Sequence, residues 1–208
     1  MKKNIKIKKI QEYINYLGES YKEGLGTSVP KVEKVENYNK KRKDIGYEYF
    51  ILSGDKHYFS ARILFLYNIG EYSMFCGQQC IENYLKAYQK YKNITPQKDI
   101  HDIEELLRSC RAKNTKNFIT SKEIEIIVKK YNPFYENTRY PVQKKRPKNG
   151  QYTIFYPFDI EVLDYFVLKM REVMPYPNNM IDILKDPYLP IEEKVFNMFK
   201  KDNVYYMS

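Results

Sequence analysis

The side chains best suited to chemistry in this 208-residue chain lie in three places. In the segment Gly70 to Tyr88, Gln78, Glu82 and Lys86 step by four along one helical face, with Gln79 adjacent. Tyr72, Cys76, Cys80, Tyr84, Tyr88 and Tyr91 form an apolar stripe beside them, stepping by three or four. A carboxylate and an ammonium next to such a stripe could make a perturbed functional pair. The plainer reading is an i,i+4 ion pair on a solvated face, worth about 0.2 to 0.5 kcal/mol. The second place is the basic run Arg139, Lys144, Lys145, Arg146 and Lys148, with Tyr140 beside Arg139 and no acid between. Arginine offers bidentate contacts to phosphate, and tyrosine offers a ring on which a base can stack. The third is the pair of histidines, His57 and His101. Histidine can serve as a general base near neutral pH. Packing or capping is the plainer role for His101, which stands beside Asp99 and Asp102 at a helix start, and His57 falls in mid-helix.

Composition narrows the classes. Hydrophobic residues make up 43% of the chain, enough to fill a core without covalent staples. Three cysteines, an odd number in a chain of this size, do not make a disulfide framework, and Cys76 and Cys80 lie one helical turn apart within the apolar stripe. They read as reduced core residues of a cytoplasmic protein. With two histidines and no Cys-x-x-Cys, no metal site is expected, and no cofactor motif is found. Lysines interrupt the first ten residues throughout, which argues against a secretion signal, and no segment approaches the ~20 apolar residues of a membrane span. The net charge of +10, from 36 basic and 26 acidic residues, favours polyanionic partners. Lys2, Lys3, Lys6, Lys8 and Lys9 contribute to it as much as the run after Arg139.

The elements that must position these groups are helices. Ile7, Ile10, Ile14, Leu17 and Tyr21 predict one over Ile5 to Tyr21, ended by Gly24, Gly26 and Pro30. Tyr47, Phe50, Ile51, Tyr58, Ala61 and Phe65 predict a long helix from Asp44 to Ile69. A tight turn joins it to a second, Glu71 to Lys92, as an antiparallel hairpin. A shorter helix capped by Asp99 follows, with Ile100, Ile103, Leu107 and Cys110 inward. Another is opened by a Thr120–Glu123 capping box and turns Ile124, Ile127, Val128 and Tyr131 inward. Pro157 sits well at a first helical position, with Asp159 and Glu161 where the helix dipole favours acids, and that helix runs to Met174. Short helices are expected at Met180 to Leu184 and at Pro190 to Lys201.

A long helix, a Gly70-Glu71-Tyr72 turn, a helix bearing Gln78-Gln79 with Glu82 and Lys86, then His101-Asp102-Ile103-Glu104-Glu105-Leu106-Leu107 and Arg139-Tyr140-Pro141 follow in that order. The series resembles the HEPN domain (higher eukaryotes and prokaryotes nucleotide-binding) over Asp44 to Met174. The resemblance implies an all-α, up-and-down helical bundle of about five helices. It also implies a homodimer, and a setting of toxin–antitoxin, defence or nucleotidyltransferase-associated proteins in prokaryotes. Some members are metal-independent RNases that carry an Arg followed four to six residues later by His. Neither histidine here has an Arg at that distance before it.

The resulting expectation has three parts: a basic N-terminal helical arm and linker (1–43), a HEPN-like bundle (44–175) and a short helical C-terminal extension (176–208). The function expected is non-catalytic binding of nucleotide or RNA. Arg139, Tyr140, Lys144, Lys145, Arg146 and Lys148 would hold phosphate and base, while Gln79, Glu82 and Lys86 would shape the cleft. The alternatives are a ligand-free dimerisation module and an atypical RNase using His101 and Arg139. Partners expected are a second copy, nucleotide or RNA, and a nucleotidyltransferase-type protein, with no membrane.

Overall fold

The computed structural model describes residues 2–22, 46–95, 100–112, 117–135, 155, 157–178, 180, 182–185 and 193–207. Among these residues there are seven α-helices and no strand: α1 (Lys2–Lys22), α2 (Tyr47–Leu66), α3 (Gly70–Tyr91), α4 (Ile103–Arg111), α5 (Lys122–Tyr131), α6 (Pro157–Val173) and α7 (Glu193–Lys200). The chain is all-α, as its apolar periodicities require.

The α2–α3 hairpin is the spine. Asn68 adopts the left-handed conformation (φ 61°) that closes the turn, and the Ile69 N–H donates to the Leu64 carbonyl at 2.9 Å. Two glycines let the helices approach closely. A Cβ at Gly54 would lie 2.8 Å from the Tyr84 ring, and one at Gly77 would lie 2.3 Å from the Tyr131 ring of α5. Around this spine α4 and α5 pack on α3, and α6 lies against both hairpin helices. The core includes Ile51, Tyr58 and Ala61 of α2, Met74, Ile81, Leu85 and Tyr88 of α3, Ile127 and Tyr131 of α5, and Leu163, Phe166 and Met170 of α6.

Four charged side chains also lie in this core. Asp55 and Arg62 of α2 face Arg171 and Asp164 of α6 respectively. Arg171 Nη2 donates to Asp55 Oδ2 at 2.6 Å, and its Nε donates to the Tyr84 hydroxyl at 2.8 Å. Arg62 pairs with Asp164, which also accepts from the Tyr58 hydroxyl at 2.9 Å. The C-terminal residues cover this seam. The Lys201 carbonyl accepts from Arg62 at 2.8 Å, Asn203 donates to the Tyr58 hydroxyl at 2.7 Å, and the Phe199 ring lies 5.3 Å from that of Tyr58. The N-terminal helix packs as well. Ile10 and Ile14 of α1 are fully buried, Tyr13 donates to Asp159 at 2.9 Å, and Lys6 pairs with Glu161 at 2.9 Å.

Several local expectations are corrected. Tyr72 belongs to no buried stripe: it is 57% exposed, because the first turn of α3 projects beyond the bundle at the hairpin tip. Asp102 caps α4, accepting from the Glu104 and Glu105 N–H groups at 2.9 and 3.2 Å, whereas Asp99 lies outside the described residues. Ser121 caps α5. Thr120 belongs to the 3-10 turn before it, and its hydroxyl donates to the Asn117 carbonyl at 2.9 Å instead. Within Met180 to Leu184 the described residues form a turn rather than a helix. Asp182 accepts from the Leu184 N–H at 3.2 Å while pairing with Arg171 at 3.3 Å, and the two contacts pin the turn.

Removing one member of a buried ion pair leaves the other without compensation. Asp164→Ala is therefore expected to cost about 3 to 5 kcal/mol in urea unfolding, and Arg62→Met with Asp164→Leu should cost less than that single change. A single variant as stable as the wild type would show that the seam does not order the bundle.

Candidate functional site

Glu82 stands at the centre of the site, on α3 where it faces the start of α4. Its side chain is only 5% exposed, so the solvated i,i+4 pair expected from spacing is corrected: the carboxylate is buried and shared. Lys86 Nζ donates to Oε1 at 2.6 Å, and His101 Nδ1 lies 3.0 Å from the same oxygen. Gln79 Nε2 donates to Oε2 at 3.0 Å, and Gln78 Nε2 reaches the His101 carbonyl at 3.0 Å. The one-turn spacing along α3 places Gln78, Glu82 and Lys86 in a row, and Gln78 Nε2 also lies 3.4 Å from Oε2, so each carboxylate oxygen has at least two polar neighbours.

A single asparagine brings the other half of the site into place. Asn132, just after α5, accepts from the Ile103 N–H at 3.1 Å and donates to both Asp102 and Glu104 at 3.3 Å. The clamp joins the start of α4 to the end of α5. His101 and Tyr135, which flank it, stack with ring centroids 4.5 Å apart and planes 12° apart. Phe75 of α3 continues the row, 6.5 Å from Tyr135. His101 is the open end of this row, with its side chain 43% exposed.

The electrostatics follow from the geometry. Burial alone would push the Glu82 carboxyl up, but the His101 hydrogen bond and the Lys86 ammonium outweigh it and hold the carboxyl below its ordinary 4.5. An ionised carboxylate only accepts, so Nδ1 of His101 carries a hydrogen and Nε2 is the nitrogen left for a ligand or a proton. His57 of α2 is within the field of Glu82, which opposes the downward push that burial gives its imidazole.

Of the residues singled out in the sequence, Gln79, Glu82, Lys86 and His101 come together here. Arg139, Tyr140, Lys144, Lys145, Arg146 and Lys148 lie outside the described residues. Tyr135 and Asn132 were not singled out. Their contacts are made across 34 and 29 positions of sequence, and no local pattern marks them. Among the described residues no group of three or more His, Cys, Asp or Glu side chains could hold a metal ion.

The depressed Glu82 carboxyl has a stability consequence whose sign is fixed. Its contribution is fully present above about 4.5 and is lost as pH falls through the lower value of the folded state. Glu82→Gln should lower stability by about 1.5 to 3 kcal/mol near neutral pH, the range of a charge-assisted hydrogen bond. The gap between the two proteins should close below about pH 4.5, read as melting temperature against pH. A gap that stays constant would mean that Glu82 is not held as an anion.

The comparisons with known proteins bear on the family of the bundle that carries this site. The HEPN domain matches residues 47–174, from the first residue of α2 to the residue after α6. No curated protein and no solved structure matches the chain. No helix among the described residues is long and apolar enough to cross a membrane. The matched residues hold Glu82, Lys86, His101 and Tyr135 and make up more than half of the sequence. The chain therefore belongs to the HEPN domain family and is, in general terms, a nucleotide- or RNA-related module.

Proposed function

We propose that the protein binds a nucleotide or a short stretch of RNA against the His101–Tyr135 stack, without transforming it. The observation that carries this reading is an aromatic row open at His101 and set on a buried charge cluster. A base can extend the row from the exposed His101 face, and Lys86, 17% exposed beside it, supplies a cation for phosphate. Arg139 and Tyr140, four and five residues after Tyr135 in sequence, with Lys144, Lys145, Arg146 and Lys148, supply further phosphate and base contacts. Gln79 and Glu82 act from beneath by holding the imidazole.

The protein acts as a homodimer in a prokaryotic toxin–antitoxin or defence setting, in the cytoplasm, with a nucleotidyltransferase-type protein as a further partner. Leu66, Tyr67, Ile69 and Tyr72, all exposed at the hairpin tip, support association. Three free cysteines suit a reducing compartment. Light scattering should give about twice the 25.2 kDa chain mass at micromolar concentration. A monomer across a wide concentration range would remove the dimer from this reading.

A second reading, metal-independent RNA cleavage, is favoured by one observation: a buried carboxylate orients the His101 ring and leaves Nε2 outward. In that case Nε2 takes the 2'-hydroxyl proton while Lys86 and Arg139 meet the phosphorane charge. Titration of ATP, GTP and a short RNA separates the two. Under the binding reading, Arg139→Ala weakens affinity by about 1.5 to 3 kcal/mol, His101→Ala weakens it as well, and the RNA stays intact. Cleavage by the wild type that disappears in both variants would replace binding with catalysis. Unchanged affinity in both would sink each reading.

A further inference from the structure

Arg171 is the cation of two carboxylates at once, and only one of them belongs to the bundle. Asp55 of α2 accepts from its Nη2 at 2.6 Å, while Asp182, in the turn that follows Pro175 and Pro177, accepts from Nη1 and Nη2 at 3.3 Å. The Asp55 side chain is fully buried, and that of Asp182 is 11% exposed. Two anions on one guanidinium leave a net negative charge in a place almost closed to solvent. Lys185, 3.7 Å from Asp182, offsets little of it, because its side chain is 73% exposed.

The C-terminal residues are what close the place. The Tyr176 ring lies 4.1 Å from the guanidinium, and the Tyr206 hydroxyl donates to the Leu184 carbonyl, which ties the Asp182 turn to the 3-10 turn at Val204–Tyr206. Undocking these turns would open Asp55 to solvent, remove the repulsion of Asp182 and leave Arg171 to Asp55 alone. All three changes favour the ionised carboxyl. Docking therefore works against the charge on Asp55. A proton on Asp55 works equally in favour of docking, because linkage is reciprocal. Such a proton, taken from solvent, has its place on Oδ1, which faces the Tyr84 hydroxyl, while Oδ2 keeps the Arg171 contact.

We infer that the Asp55–Arg171–Asp182 cluster is a proton-operated latch, which holds the C-terminal turns on the bundle more tightly when Asp55 is protonated. Burial, against the pull of Arg171, pushes the Asp55 carboxyl up to about 6. Burial also raises the Tyr84, Tyr176, Tyr205 and Tyr206 phenols and the Cys80 thiol around it, so these stay neutral near that value. Among the described residues, Arg171 and Asp182 are then the charges that face Asp55. The sign follows: docking strengthens as pH falls through about 6, and the gain is lost as pH rises through the same value. The latch lies apart from the His101 site and does not rest on what that site binds.

Amide hydrogen exchange of the full chain, corrected for the intrinsic rate at each pH, tests the latch. The Lys185 and Tyr206 N–H groups, which donate to the Asp182 and Asn203 carbonyls at 2.9 and 3.1 Å, report on the docked turns. From about pH 7 to about pH 5 their protection should rise by up to roughly tenfold, the most that linkage allows over that range for a carboxyl raised from 3.8 to about 6. In Asp55→Asn the side-chain amide can donate to Tyr84 and accept from Arg171 as the acid would, so protection should be high and flat over the same range. Asp182→Asn removes the repulsion, and the Asp55 midpoint, followed by its carboxyl carbon resonance, should move to lower pH. A wild-type profile that is flat or inverted overturns the inference, as does a slope that survives in Asp55→Asn. Thermal melting checks folding. If Asp55→Asn does not fold, the wild-type and Asp182→Asn midpoints decide: a downward move supports the latch, and an unmoved midpoint overturns it.

Discussion

The bundle depends on two buried ion pairs of opposite polarity that cross one helix seam. In α2 the order is Asp55 then Arg62; in α6 it is Asp164 then Arg171, again seven residues apart. Run antiparallel in the observed register, each Asp meets an Arg. Run parallel, the same positions would set Asp55 against Asp164 and Arg62 against Arg171. A slip of seven residues in the antiparallel sense would also bring two like charges together and strand the other two in the core. Burial pushes both carboxyls up, Asp55 to about 6, against the pull of the arginines, which shows how much desolvation costs at this seam. A seam with that cost contributes direction and register more than net stability.

Such a seam must be kept dry, and the residues that do so come from outside the matched domain. The Lys201 carbonyl, Asn203 and Phe199 close over Arg62 and Tyr58, while Asp182 and the Tyr176 ring, 4.1 Å from the guanidinium, close over Arg171. On the other flank α1 reaches Asp159 through Tyr13, and Gln11 contacts Glu123 and Tyr165. The terminal segments therefore have a definite physical task around the bundle. Each adds a further partner to polar groups that the five inner helices bury and pair only in part.

Periodicity made the helices legible because a stripe of apolar residues at steps of three and four is a local signal. The same logic hides charges that belong to the core. Asp55 and Arg62 sit among the apolar positions of α2, and in one dimension they look like interruptions. Their partners are more than a hundred residues away, and only the packed structure brings them together. The candidate site divides in the same way. The Gln78, Glu82 and Lys86 row was visible from spacing, yet its burial was not, because burial depends on how the start of α4 packs across it. His101 resembled a capping residue because it adjoins the true cap, Asp102. The clamp through Asn132, which turns that cap into a holder for the imidazole, involves a residue whose sequence context signals only the end of a helix.

The arrangement around Glu82 also bears on what His101 can do. One carboxylate serves both Lys86 and His101 through the same oxygen, so a proton on Nε2 would give the cluster a net positive charge at its exposed edge. An anion beside Nε2 is best met by that proton. A phosphate seated there can only accept, so it needs a hydrogen on Nε2, whereas a general base requires that nitrogen bare. Cleavage would need a second group to take the 2'-hydroxyl proton while the phosphate is held. His57, whose imidazole burial pushes below its ordinary value against the opposing field of Glu82, is a described side chain with suitable chemistry, but it is half-buried in mid-helix. The binding proposed above asks of the site only the orientation that Glu82, Gln78 and Asn132 already enforce.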